Sequence, residues 1–170
     1  LILISTILAS LLSYASALEI KVLAPKNSRV QLVVGYLSTD KSLLKKLACN
    51  KYSLEDGKFK SKLFDIYFDG QSTEDGLLFT APDSVKKCNS RLISMPALAV
   101  ALEGSQFPNE ADFKTGHLSF ENTQVSVADQ IQIFKCKKYE TSKGLTTACT
   151  SNPALIGPDG KATIQIEEEL

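Results

Sequence analysis

Read by its apolar positions, the chain is a succession of short runs with a period of two. Ile131-Gln132-Ile133-Phe134 and Thr163-Ile164-Gln165-Ile166 alternate cleanly, the signature of a strand with one face in a core and the other in water. Runs of this kind predict strands over 18–23, 30–37, 58–68, 77–80, 91–95, 97–102, 117–120, 124–127, 130–134 and 162–166. Turn signals fall between them at Asp56-Gly57, Asp69-Gly70, Asp75-Gly76, Thr115-Gly116 and Pro158-Asp159-Gly160. Asp-Gly between apolar runs predicts a hairpin because both residues tolerate positive φ. Only residues 38–48 read as helical. Ser38, Thr39 and Asp40 are candidate caps, and Leu43, Leu44 and Leu47 fall on one face. Many short strands and one short helix predict an all-β class, a single compact β-sandwich or β-trefoil-like domain. No linker or low-complexity stretch divides it.

The first 17 residues break this pattern. LILISTILASLLSYASA carries no charge, is apolar through Leu12 and ends in Ala15-Ser16-Ala17. An apolar stretch before small residues at the cleavage positions predicts a secretory signal peptide over 1–17 and a mature domain over 18–170. Ser5, Ser10, Ser13 and Ser16 interrupt the run, so it is too short to span a bilayer. The absent initiator Met and basic leader region suggest a chain clipped at its start.

Export changes how the cysteines read. Cys49, Cys88, Cys136 and Cys149 all lie in the mature part, and an even count in an exported chain predicts two disulfides, with three pairings open. Metal sites need close pairs such as C-x₂-C, and His117 is the single histidine, so no metal and no cofactor is expected. The 13-residue gap favours Cys136–Cys149 as a local staple, with Cys49–Cys88 closing the larger loop. Lys plus Arg balances Asp plus Glu at 19 each. Nucleic-acid binders show a basic excess or stripe and membrane-surface binders a basic amphipathic helix; neither is expected here, nor is a membrane span after signal cleavage. Glu167-Glu168-Glu169 reads as a solvated acidic run.

Three segments carry a family resemblance. After the leader comes an extended opening, Ile20-Lys21-Val22-Leu23-Ala24-Pro25-Lys26-Asn27-Ser28-Arg29-Val30, then Asp75-Gly76-Leu77-Leu78-Phe79, then Gly116, Leu118 and Phe120 leading to Phe134-Lys135-Cys136. In this order they resemble the secreted cell-wall and surface proteins of yeasts and filamentous fungi. The resemblance implies a structural or binding role at the cell surface, with cell-wall polysaccharide or another surface protein as partner. Lys137 stands where that pattern has Pro, and no Asn-x-Ser/Thr sequon is present. A weaker resemblance is to the Kunitz-type trypsin inhibitors of the soybean class. It rests on two disulfides, the second closing a short loop, and on the turn at Asp159-Gly160. It implies a β-trefoil with an exposed basic residue between Cys49 and Cys88, for which Lys60 or Lys62 is the candidate.

The same sequence offers little for catalysis. A Ser/His/Asp hydrolase would have to use His117, and no Gly-x-Ser-x-Gly elbow supplies a nucleophile. A glycosidase needs only two carboxylates, and Asp65, Asp69, Glu74 and Asp75 form the densest group. They fall around predicted turns, where acids are commonplace. The expectation is a secreted, non-enzymatic protein with no catalytic residue. The alternatives are a secreted inhibitor or ligand-binding module, and then a carboxylate hydrolase.

Overall fold

The computed structural model describes residues 17–49, 52–92, 96–108, 116–120, 127, 129–150 and 153–169. The chain opens with β1 (Ala17–Leu23) and β2 (Arg29–Ser38), followed by the one-and-a-half-turn helix α1 (Leu43–Ala48). A hairpin of β3 (Tyr52–Glu55) and β4 (Lys58–Ser61) leads into β5 (Leu63–Asp69), β6 (Gln71–Thr73) and β7 (Gly76–Pro82). The short strands β8 (Ser84–Val85) and β9 (Ser90–Leu92) flank a 3-10 turn over Lys87–Asn89. Then come β10 (Ala97–Ala101), β11 (Gly116–Phe120), β12 (Ile131–Thr141), β13 (Gly144–Thr150), β14 (Ala154–Ile156) and β15 (Lys161–Glu168).

These strands make two main sheets. One has the order β13-β12-β15-β1-β7-β6. In the other, β2 is the spine: β5 lies along one side, while β10 pairs with its first half and β9 with its last three residues. Alternate residues of both sheets enter one core: Ile20 and Val22 of β1, Leu32, Val34 and Tyr36 of β2, Phe79 of β7, Leu98 of β10, Phe134 of β12 and Ile164 of β15. Each fully buried side chain of this size contributes roughly 1.5–3 kcal/mol. Two sheets sharing a core make a sandwich. The parallel ladders β1–β15, β12–β15 and β11–β14 set it apart from the hairpin-built trefoil, so of the two expected forms it is the sandwich that forms.

Two of the Asp-Gly signals mark hairpins, β3–β4 at Asp56-Gly57 and β6–β7 at Asp75-Gly76. Asp69-Gly70 does not, because β5 and β6 belong to different sheets. Of Thr115-Gly116, Thr115 lies outside the described residues. At Asp56-Gly57 both φ angles are positive, 50° and 70°, and β3 returns as β4. At Gly70 the chain passes from one sheet to the other against the Phe79 ring, whose Cζ would stand 2.7 Å from any added Cβ. Only glycine fits that crossing.

Three boundaries need correction. The run 58–68 is two strands with different partners, because Lys62 leaves the ladder between them and only β5 joins β2. The helix begins at Leu43, not Ser38. Ser38 is the buried last residue of β2, paired with Ser90, and its ladder and side-chain bonds outcompete a local cap. The N-cap is Ser42, which makes no side-chain capping bond. The strand expected at 130–134 continues as β12 to Thr141, since β13 folds back along it. Its core face is the one carrying Phe134 and Cys136, so that Ile131 and Ile133 are exposed. Of the strand expected at 124–127, residues 124–126 lie outside the described residues, as do 93–95 of the run 91–95. The expected leader also lies outside them, except Ala17, which stands opposite Pro82 as the first residue of β1.

Candidate functional site

Both expected disulfides are closed. Cys136 and Cys149 face each other across β12 and β13, with Cα atoms 3.9 Å apart. Cys49 and Cys88, 39 residues apart in sequence, join the end of α1 to the 3-10 turn. Two disulfides point to an extracellular or secreted protein.

The Cys49–Cys88 bridge is part of an assembly around the last residue of β2. Ser38 Oγ donates to the Cys88 carbonyl at 2.7 Å and lies 2.9 Å from Tyr52 Oη. Tyr52 Oη also reaches the Asp40 carbonyl at 3.0 Å, and Ser61 Oγ donates to the Ser38 carbonyl at 2.9 Å. The Thr39 N–H donates to the Asn89 carbonyl at 3.1 Å. These bonds gather α1, the β3–β4 hairpin and the 3-10 turn at one end of the sandwich. Cys88 and Asn89 lie there in the left-handed region, at φ 57° and 42°, a conformation that asparagine tolerates and that is uncommon for cysteine.

The opposite end of β2 carries a groove. Ser28, Arg29, Gln31, Asp69, Gly70, Leu77 and Phe107 line a concavity of about 390 Å³. Arg29 and Gln31 reach it because they share the outward face at the start of β2. The Arg29 guanidinium lies over the Phe107 ring, 5.0 Å from its centre, and Nη2 donates to the Ser105 carbonyl at 3.1 Å. Gln31 Nε2 donates to Asp69 Oδ1 at 2.9 Å. The groove therefore presents one guanidinium, one amide and one carboxylate beside an aromatic ring, each held by a neighbour. Of this set the sequence marks Asp69 as a candidate for chemistry, and Arg29 only as part of the extended opening. The Arg29-Val30-Gln31 alternation was a visible signal for two more, but Phe107 follows the turn at Gly104 without periodicity and had none.

The other residues singled out in the sequence do not converge. Asp65 is exposed on β5, four residues from Asp69. Glu74 and Asp75 form the β6–β7 turn in the other sheet, where Lys21 Nζ pairs with Asp75. That hydrogen-bonded ammonium holds the Asp75 carboxyl below its usual range. Lys60 sits within β4 and bonds Glu55 at 2.7 Å, which lowers the Glu55 pKa, and Lys62 is exposed between β4 and β5. His117 stands opposite Ala97 in β11; its side chain lies outside the described part. Among the described residues there is no cluster of three or more metal-binding side chains, and no helix is long and apolar enough to cross a membrane.

No protein-family model, curated protein or solved structure matches the chain.

Proposed function

We propose that this protein is a secreted, non-enzymatic binding protein of the cell surface or wall, and that its groove holds a polysaccharide strand. One observation carries the reading: the groove at the start of β2 sets Arg29, Gln31 and Asp69 beside Phe107. Planar polar groups at fixed positions, among them the guanidinium stacked on Phe107, can bond sugar hydroxyls while apolar lining such as Leu77 meets a sugar's apolar side, the usual division of labour in a binding cleft. Asp69 is bonded to Gln31 rather than paired with a second carboxylate, an arrangement that suits holding a glycan better than cleaving one. The closed disulfides suit a domain exposed to an oxidising exterior.

The test uses the purified chain and insoluble glucan, chitin and mannan in a sedimentation assay. Binding to one of them should fall about tenfold or more in Gln31→Ala/Asp69→Ala, with the melting temperature retained. Absence of binding to all three would sink the glycan reading. Release of reducing sugar, lost in Asp69→Asn, would turn the protein into a hydrolase.

A further inference from the structure

The balanced total charge conceals a strong separation. Residues 38–62 and 84–91 hold ten lysines and arginines against three acids, leaving nine against sixteen in the rest of the chain. The two stretches are distant in sequence, and the Cys49–Cys88 disulfide with the Ser38 hydrogen bonds places them at one end of the sandwich. Lys41, Lys45, Lys58, Lys60, Lys62 and Lys86 are all exposed there, and of the nearby acids Glu55 is already bonded to Lys60.

The same end exposes leucine. Leu43, Leu44 and Leu47 are 56%, 78% and 59% exposed on α1, which buries no residue. Leu54 on the hairpin and Leu63 at the start of β5 are 66% and 51% exposed. At about 100° per residue the three helical leucines fill an arc of roughly 100°, and Lys45 and Lys46 lie outside it. Lys46 leans over the Tyr52 ring at 5.5 Å, so that side of the helix faces the hairpin and the leucine arc faces away. Six residues would not stay helical alone in water. Here the disulfide and the Ser38 bonds hold the helix with its apolar arc outward.

We infer that this end docks on an anionic lipid surface, the leucines entering the acyl boundary and the lysines meeting the headgroup phosphates. Charge complementarity selects an anionic partner, and the leucines select a bilayer over a sulfated or phosphorylated polymer, which offers nothing apolar to cover them. The surface lies at the far end of β2 from the groove, so this inference goes beyond the polysaccharide reading.

The experiment is co-sedimentation of the full chain with vesicles of phosphatidylcholine alone, or of equal parts phosphatidylcholine and phosphatidylglycerol, with soluble dextran sulfate as a competing polyanion. The chain should bind the anionic vesicles and leave the neutral ones, and added salt should weaken the binding. Lys41→Gln and Lys45→Gln should each lower partitioning about fivefold, and Leu44→Ser/Leu47→Ser about tenfold or more, all with unchanged melting temperature because these side chains are exposed. Binding that depends on the lysines but not the leucines, or dextran sulfate bound as tightly as the vesicles, would make the partner a polyanion and overturn the inference. Equal binding to both vesicle types, or to neither, would overturn it too. Gln31→Ala/Asp69→Ala should leave vesicle binding intact, so failure here is separable from failure of the glycan assay.

Discussion

Ser38 Oγ donates a hydrogen bond to the backbone carbonyl of Cys88 at 2.7 Å, so the last residue of the central strand grips the residue that carries the disulfide from α1. Ser38 is 2% exposed, and water cannot replace its hydroxyl. Ser38→Ala should leave the Cys88 carbonyl with only the longer bond from Ser90 Oγ at 3.3 Å and lower stability by about 1 kcal/mol. Urea denaturation measures the loss; a change within error would mean that the bond is not what holds this end.

Removing the disulfides separately should show two effects. On loop length alone, Cys49→Ala/Cys88→Ala should cost about 4 kcal/mol and Cys136→Ala/Cys149→Ala about 3 kcal/mol. Cys136 is fully buried, so its replacement adds a packing loss within the core. The second pair should therefore cost at least as much as the first despite its shorter loop. Guanidinium melts of the two variants give the order directly.

A buried polar knot joins β10 to β13. Thr147 Oγ1 accepts the Leu102 N–H at 3.0 Å and lies 2.6 Å from Ser105 Oγ, which also contacts the Leu102 carbonyl. Thr147→Val keeps the shape and orphans the Leu102 N–H, and should lose about 1–3 kcal/mol. Thr147→Ser keeps the oxygen and should recover most of it. Equal losses in the two variants would show that the methyl group, not the hydroxyl, matters.

Tyr36 predicts an alkaline limit. It is fully buried, its hydroxyl donates to the Pro82 carbonyl at 2.7 Å, and burial, with a smaller push from the Asp83 charge, raises its pKa to about 12. An ordinary tyrosine titrates near 10. Above that pH the unfolded chain loses the proton while the folded one keeps it, so the stabilisation is whole below about pH 10 and disappears as pH rises through about 12. The loss across that window should be roughly 2–3 kcal/mol, seen as the difference between the parent chain and Tyr36→Phe in denaturation at each pH. Parallel curves would refute it.

Much of this fold was legible in single residues. Ile20 and Val22, Leu32 and Val34, Ile164 and Ile166 enter the core because period-two alternation already places them on one face. The cysteine spacing favoured the pairing that forms. What escaped were elements that tertiary contacts define. β13, Gly-Leu-Thr-Thr-Ala-Cys-Thr, has little apolar alternation and exists because β12 templates it. Leu43, Leu44 and Leu47 read as one face of a helix, and only the tertiary structure shows that α1 lies outside the sandwich core with that face exposed. The basic end was invisible because its two halves are separated by β5, β6 and β7, and a whole-chain charge balance averages them away. The groove escaped for the same reason: Arg29, Asp69 and Phe107 are far apart along the chain.

The two candidate surfaces stand at opposite ends of one strand. β2 runs from Arg29 to Ser38 without interruption, and at about 3.3 Å per residue it spans roughly 30 Å. If one end is held by a partner and the other is pulled, the load travels along β2, at right angles to its hydrogen bonds with β5 and β10. Those bonds are then loaded in shear and share the force, rather than opening one after another as a zipper does. The strand that carries both surfaces is thereby also the part of the molecule best placed to bear tension between them.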